Sequence, residues 1–191
     1  MNRPLIATLG LMLLSTTARA AAPATPAAPA CDRECLRGLV TQVLHAFVED
    51  DVKTLPVTSN LRVTEDAVEK PLDRLELIRR VSKLRGYRQD VIDERTGQVV
   101  TGAMVDEGGL PVLLVVRVKA DGTRISELEL VATRSRADGM LFVADGLLAP
   151  ALAMNIAPAP AQLETRETAI EIAMHYPRGL NSAKSFNSVG L

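Results

Sequence analysis

Four consecutive strand-like stretches constrain the fold more than any other feature of the sequence. Side chains alternate with the two-residue period of a strand over residues 87–93, 98–105, 110–119 and 123–134. Short turns rich in Gly and Asp separate these stretches, and Asp121-Gly122 is a residue pair that two-residue hairpin turns prefer. Strands joined by such short turns pair antiparallel, so the pattern predicts a four-stranded antiparallel meander.

A first helix is predicted before the meander. Apolar residues recur at intervals of three and four from Leu36 to Val48, which places them on one face of a helix that ends near Asp50. A brief strand is expected at residues 61–63, in a region interrupted by prolines.

A second helix is predicted over residues 73–84. Asp73 can act as its N-cap, and Glu76 stands three residues later, as in a capping box. The expected buried face comprises Leu77, Ile78, Val81 and Leu84, and Gly86 would end the helix. Helices beside a curved antiparallel sheet make an α+β fold in which the helices cover one sheet face.

Residues 1–20 have the three parts of a secretory signal peptide. Arg3 is the positive region, residues 5–14 are apolar, and Ala18-Arg19-Ala20 is a small-x-small cleavage site, so cleavage is expected after Ala20. The apolar run is well short of the roughly 20 residues that span a bilayer. The mature chain is therefore predicted to be periplasmic or secreted, without membrane contact.

The composition argues against nucleic acid as a partner. Loss of residues 1–20 lowers the basic residues from 22 to 20 against 23 acidic ones, and the chain has three Phe, two Tyr and no Trp. Neither a basic stripe nor a stacking surface for bases is available.

The chain divides into five predicted segments. They are a signal peptide (1–20), an Ala/Pro-rich linker (21–30), an α+β domain (31–148), a second linker (149–163), and a C-terminal helix with its tail (164–191). Thr165 can cap that helix and Pro177 would end it, with residues after Gly179 expected to be disordered. One short amphipathic helix cannot form its own core, so it docks, pairs with another chain or remains mobile.

The order helix, short strand, helix and long meander resembles the nuclear transport factor 2-like superfamily, which includes polyketide cyclases, ketosteroid isomerases and scytalone dehydratase. Two motifs are similar to stretches of exported bacterial and fungal proteins of unassigned function: Cys31-Asp32-Arg33-Glu34-Cys35-Leu36 and His175-Tyr176-Pro177-Arg178-Gly179-Leu180. The resemblance implies a cone-shaped fold and an export route. It also implies that the final helix opens a second module, which this chain would lack.

Cys31 and Cys35 are the two cysteines of the chain. Side chains four apart in a regular helix have Cβ atoms about 5–6 Å apart, whereas a disulfide needs about 3.8 Å. A local disulfide becomes feasible if Asp32 is the N-cap, because Cys31 then precedes the helix. A local disulfide, pairing with another chain and free thiols all remain open, whereas a metal or redox-active role is not expected.

The two histidines do not indicate a catalytic or metal site. His45 falls on the polar face of the first helix and is expected to be solvated. His175 is expected to stabilise the C-terminal end of the last helix. Neither a triad nor a metal site is predicted, and no cofactor is expected.

Carboxylates on the predicted sheet are the candidates for chemistry. Glu127 and Glu129 share one strand face, while Leu128 and Leu130 point to the other. If the glutamate face lines a pocket, a buried carboxyl could act as general acid or base; if that face is solvated, both are surface charges. Further pocket candidates are Asp90 and Tyr87.

Two classes of function follow. The favoured one is a non-catalytic exported module that encloses a small apolar ligand or forms a homodimer through its sheet. The alternative is a small lyase or isomerase, of the dehydratase or cyclase kind, acting on a hydrophobic substrate. Its acid, base and orienting groups would be Glu127, Glu129, Asp90 and Tyr87.

Overall fold

A six-stranded mixed sheet forms the body of the protein in a computed structural model that describes residues 31–135, 137–138 and 143–182. The predicted signal peptide, first linker and final residues 183–191 lie outside the described residues. The strands are β1 (Val57–Glu65), β2 (Val68–Glu69), β3 (Val81–Asp93), β4 (Gln98–Glu107), β5 (Leu110–Asp121) and β6 (Arg124–Thr133). Their spatial order is β2-β1-β6-β5-β4-β3.

The antiparallel meander is confirmed over β3 to β6. Its turns use glycines with positive φ at Gly97, Gly108, Gly109 and Gly122, a conformation that costs glycine little. The sheet is nevertheless larger than predicted, because β1 pairs parallel with β6 and antiparallel with β2. The strand expected at residues 61–63 is therefore nine residues long.

The predicted second helix was wrong. Residues Leu72–Arg74 and Leu77–Arg79 form two 3₁₀ turns, and β3 begins at Val81. Leu77 and Ile78 are buried as expected, but they reach the core from a 3₁₀ turn. The apolar residues whose spacing suited one helical face are thus divided between a 3₁₀ turn and strand β3. Hydrogen bonds between β3 and β4 supply the backbone partners that a helix would have supplied.

The buried carboxylate of Glu65 holds the second of these turns in place. It accepts hydrogen bonds from the backbone amides of Glu76 (3.1 Å) and Leu77 (2.9 Å) and from Lys70 Nζ (2.6 Å). Burial raises the pKa of Glu65, but the hydrogen bonds from Lys70, Leu77 and Glu76 outweigh it and leave the pKa below its ordinary value.

Helix α1 (Arg33–Val48) confirms the first helix prediction. The side chain of Asp32 caps it by accepting a hydrogen bond from the Cys35 amide at 2.9 Å. The buried residues of α1 are Leu36, Leu39, Val40, Val43, Leu44, Ala46 and Phe47. They join the apolar side chains of the sheet in one core.

The C-terminal segment is composed of three 3₁₀ turns and a second helix. The turns are Ala144–Gly146, Leu152–Asn155 and Pro160–Gln162, and the helix is α2 (Arg166–Ser182). Thr165 caps α2 as predicted, since its Oγ1 accepts a hydrogen bond from the Thr168 amide at 3.1 Å. The predicted end at Pro177 was wrong, because the helix continues past the proline to Ser182. Neither helix in the described part of the chain is long and apolar enough to cross a bilayer.

Candidate functional site

The two faces of the sheet differ in what covers them. One face, called the core face here, packs against α1; its central side chains include Val99, Val105, Val116, Leu128 and Leu130, all buried. The opposite face, called the outer face, carries the alternate residues of the same strands. By strand alternation, Glu127 and Glu129 lie on the outer face, because Leu128 and Leu130 occupy the core face.

Glu127 and Glu129 belong to a charged row on the outer face. Arg117 donates to both, with Nη2 2.8 Å from Glu127 Oε2 and Nε 2.7 Å from Glu129 Oε2. Lys119 Nζ lies 2.9 Å from Glu127 Oε1. Hydrogen bonds from Lys119 and Arg117 hold the pKa of Glu127 below its usual value. A carboxylate neutralised in this way is a weak base, and it needs no substrate to satisfy it.

Asp90 lies on the core-face side of β3, where its register partner is the buried Thr101. Its carboxylate accepts hydrogen bonds from Thr101 Oγ1 (2.9 Å) and Arg88 Nε (2.8 Å), and Arg37 Nε is 3.4 Å away. Burial raises the pKa of Asp90, but the contacts with Arg88, Thr101 and Arg37 have the larger, opposite effect. The pKa is lowered overall, so the carboxylate stays ionised. The contacts of Asp90 thus tie β3 to β4 and α1.

Tyr87 borders a groove of about 490 Å³. Met104 lies in this groove and is only 1% exposed, although it is not part of the core between α1 and the sheet. The groove is formed between β3, β4 and residues 144–148, and its lining residues are Lys83, Leu84, Arg85, Gly86, Tyr87, Met104, Asp106, Ala144, Leu147 and Leu148. We call it the Met104 groove.

The four predicted site residues are not gathered in one cavity. Glu127 and Glu129 share the charged row, Tyr87 lines the Met104 groove, and Asp90 is on the core-face side. Sequence reasoning missed Arg117 and Lys119, although their alternation with valines along β5 places them on the same face as the glutamates. Met104 was missed because residues 144–148, which line the groove with it, gave no signal of where they would pack.

The disulfide Cys31–Cys35 is confirmed, with the two Cα atoms 5.2 Å apart. Cys31 precedes α1 and Asp32 is its N-cap, which is the arrangement that makes the bond feasible. Within the described ranges, no group of three or more His, Cys, Asp or Glu side chains is placed to hold a metal ion.

The histidine predictions had different outcomes. His45 is exposed on α1, as expected. The predicted capping role of His175 was wrong, because α2 extends seven residues beyond it to Ser182 and the imidazole Nε2 lies 3.9 Å from Glu171 within the helix.

Helix α2 exposes an amphipathic surface. None of its residues is buried. Around the helix, Glu167, Glu171, His175 and Arg178 form a polar side, and the opposite side is apolar, with Ile170, Tyr176 and Leu180 exposed. Ile172 and Met174 flank the apolar side at its two borders with the polar side and are exposed as well. Even the least exposed of these, Met174, retains 39% of its surface, and Ile172 retains 60%.

Arg166 ties the first turn of α2 to the sheet. Its guanidinium contacts both carboxylate oxygens of Asp93 at the end of β3, at 2.5 Å and 3.2 Å. This contact, together with the hydroxyl of Thr96, lowers the pKa of Asp93 to about 2. The helix therefore starts from a fixed point on the domain while its apolar side remains uncovered.

Comparison with known proteins gives similarity in fold alone. No protein-family model and no curated protein matches the chain. AusH from Aspergillus nidulans is 18% identical, covers 55% of this chain and 87% of its own, and has a TM-score of 0.44. A de novo designed protein with a curved β-sheet is 16% identical over 53% of this chain and 88% of its own, also with a TM-score of 0.44.

A de novo designed protein of the nuclear transport factor 2 fold is also similar. It is 12% identical, covers 61% of this chain and 95% of its own, and has a TM-score of 0.37. Values this low do not assign the chain to a family, and the superfamily resemblance of the sequence stays a prediction.

Proposed function

We propose that this protein is an exported, non-catalytic association module, and that the apolar side of α2 is its contact surface. The observation that carries this proposal is the exposure of every large apolar residue on a 17-residue amphipathic helix. A side chain of this kind gains about 1.5–3 kcal/mol when it is fully buried, so a partner that covers several of them is strongly favoured.

The length of α2 supports the same conclusion. Isolated helices shorter than about 12–15 residues are marginal in water, and helices in proteins owe most of their stability to packing of one face. Helix α2 is only slightly longer and contains Pro177, which removes one backbone donor. A partner that covers the apolar side would supply the packing that the helix lacks.

The partner that fits this surface is a protein rather than a lipid bilayer. Helices that lie on membranes combine an apolar side with a polar side rich in Lys and Arg. The polar side of α2 instead carries Glu167 and Glu171 beside His175 and Arg178, and Glu171 contacts both of the latter. Such a mixed polar side gains little from anionic headgroups.

A non-catalytic role is supported by the carboxylates. Glu127 and Asp90 have lowered pKa values because cations and hydroxyls already bind them. General acid–base catalysis near neutral pH instead favours carboxyls with raised pKa values. The lyase or isomerase alternative would need these groups to exchange their present partners for a substrate.

Sedimentation velocity of residues 21–191 at increasing protein concentration tests the proposal for a second copy as the partner. The diagnostic variant is Ile170→Glu, and the matched control is Thr168→Glu, which lies roughly 200° away around the helix. We expect the wild type and Thr168→Glu to associate and Ile170→Glu to stay monomeric.

Association that persists in Ile170→Glu would contradict the role of α2. In that case the outer face of the sheet, which was the surface predicted for a homodimer, becomes the candidate, and Val131→Glu tests it because Val131 is exposed there.

A further inference from the structure

We propose that the Met104 groove binds a small amphipathic anion, with an apolar body and one acidic group. This groove is separate from α2 and from the charged row, so the inference does not depend on the association function. It also differs from a pocket between helices and the core face, because the apolar core occupies that space.

The floor of the groove is apolar and already desolvated. Met104 is buried on the side of the sheet away from α1, where Tyr87 lies close enough to contact a Cβ placed on Gly102, at 3.9 Å. Leu147 adds an aliphatic wall, and thioether and aromatic surfaces adapt well to apolar ligands.

The rim of the groove is cationic. Arg85 Nε lies 2.6 Å from Asp106 Oδ1, so this acid is already neutralised. Lys83, the register neighbour of Asp106 across the β3–β4 ladder, has no ion-pair partner among the described residues. A ligand acid group placed beside Lys83 would therefore meet an available positive charge above an apolar floor.

The size and access of the groove fit a small molecule. Its volume of about 490 Å³ falls within the roughly 300–1,000 Å³ that is typical of small-molecule sites. Leu148 stands at its border with 77% of its surface exposed. An apolar ligand tail would cover the side chain of this leucine.

Isothermal titration of residues 21–191 with dodecanoate tests the inference, with 1-dodecanol as the uncharged analogue. Saturable one-to-one binding of dodecanoate is expected. Lys83→Ala should weaken it about tenfold, a loss of about 1.4 kcal/mol, because the variant removes the charged donor for the carboxylate. Lys83→Ala should leave the weaker binding of 1-dodecanol unchanged.

Matched controls separate the groove from other surfaces. Lys53→Ala removes an exposed lysine elsewhere, and Leu152→Ala matches Leu148→Ala, because the two leucines are 75% and 77% exposed. Only Lys83→Ala and Leu148→Ala should weaken binding. Ile170→Glu should retain full affinity, which excludes α2 as the binding surface.

Two results would overturn the inference. One is the lack of saturable dodecanoate binding by the folded wild type. The other is binding that Lys83→Ala and Leu148→Ala leave unchanged, which would place the ligand elsewhere. Because all the substituted side chains except Ile170 lie outside α2, either result leaves the association proposal intact.

Discussion

Helices α1 and α2 are nearly the same length, 16 and 17 residues, yet one is packed against the sheet and the other is exposed. Each is amphipathic, and each begins after a side chain that caps its first turn, Asp32 for α1 and Thr165 for α2. Helix α1 buries seven residues against the sheet, whereas α2 buries none. The two helices therefore differ in whether the domain covers their apolar side.

This comparison shows what an amphipathic pattern can and cannot establish. The pattern indicates that burial of one side of the helix is energetically favourable. It does not state which surface will cover that side. For α1 the cover is the core face of its own sheet, and for α2 we propose that it is another protein.

The largest expected difference between the helices is in the cost of truncating an apolar residue. Phe47→Ala in α1 should lower the free energy of unfolding by about 3–5 kcal/mol, because it leaves a cavity around a side chain with no exposed surface. Tyr176→Ala in α2 should change that free energy by less than about 0.5 kcal/mol in the monomer. Urea unfolding at low protein concentration measures both, and similar losses would contradict the comparison.

The buried carboxylate of Glu65 should stabilise the α1 side of the molecule. Glu65→Gln, beside the turn that packs near α1, should cost about 2 kcal/mol because it removes charge-assisted hydrogen bonds from Lys70 and two backbone amides. Since the folded pKa of Glu65 is lowered, its contribution is present above the ordinary value of 4.5 and is lost as pH falls through the folded pKa. Wild type and Glu65→Gln should therefore converge in stability in acid.

The disulfide is a constraint on α1 that α2 lacks. Replacing Cys31 and Cys35 together by Ser should lower the free energy of unfolding by about 2 kcal/mol, the loop-closure value for so short a loop. Thermal unfolding of the double variant, with and without reductant, checks this expectation. A reductant that destabilises the wild type but not the double variant would confirm the assignment, and equal effects on both would contradict it.

The smallest expected effect is at the anchor of α2. Asp93 should titrate with a pKa of about 2, so the contact with Arg166 is complete above 3.8 and is lost as pH falls through about 2. Carbon-detected NMR of the Asp93 carboxyl measures this directly. Arg166→Ala should return the pKa of Asp93 toward its ordinary value while leaving global stability nearly unchanged, since both side chains of the pair remain partly exposed.

Local features of the sequence predicted local structure well. The meander, α1 and the cap at Thr165 all follow from turn residues, periodicity and capping side chains. The disulfide remained one of three alternatives, because spacing alone does not fix where a helix begins. The cap at Asp32 decided it by leaving Cys31 outside the helix.

Features that depend on distant partners could not be read from the sequence. The parallel pairing of β1 with β6 joins residues more than sixty positions apart, such as Val63 and Leu128. The prediction of a second helix was wrong because Val81 pairs with Glu107 across the sheet and does not continue a helical turn. The neutralisation of Glu127 and Glu129 depends on Arg117, whose alignment with them requires the register of two strands.

Site-specific photo-crosslinking of α2 in cells that produce the protein tests the central claim most directly. A photoreactive phenylalanine analogue would replace Tyr176 on the apolar side, with Glu171 on the polar side as the control position. We predict a crosslinked protein product, with a second copy or another protein, from position 176 and little from position 171. Absence of a product at position 176, or equal products at both positions, would contradict the role of α2 as the contact surface.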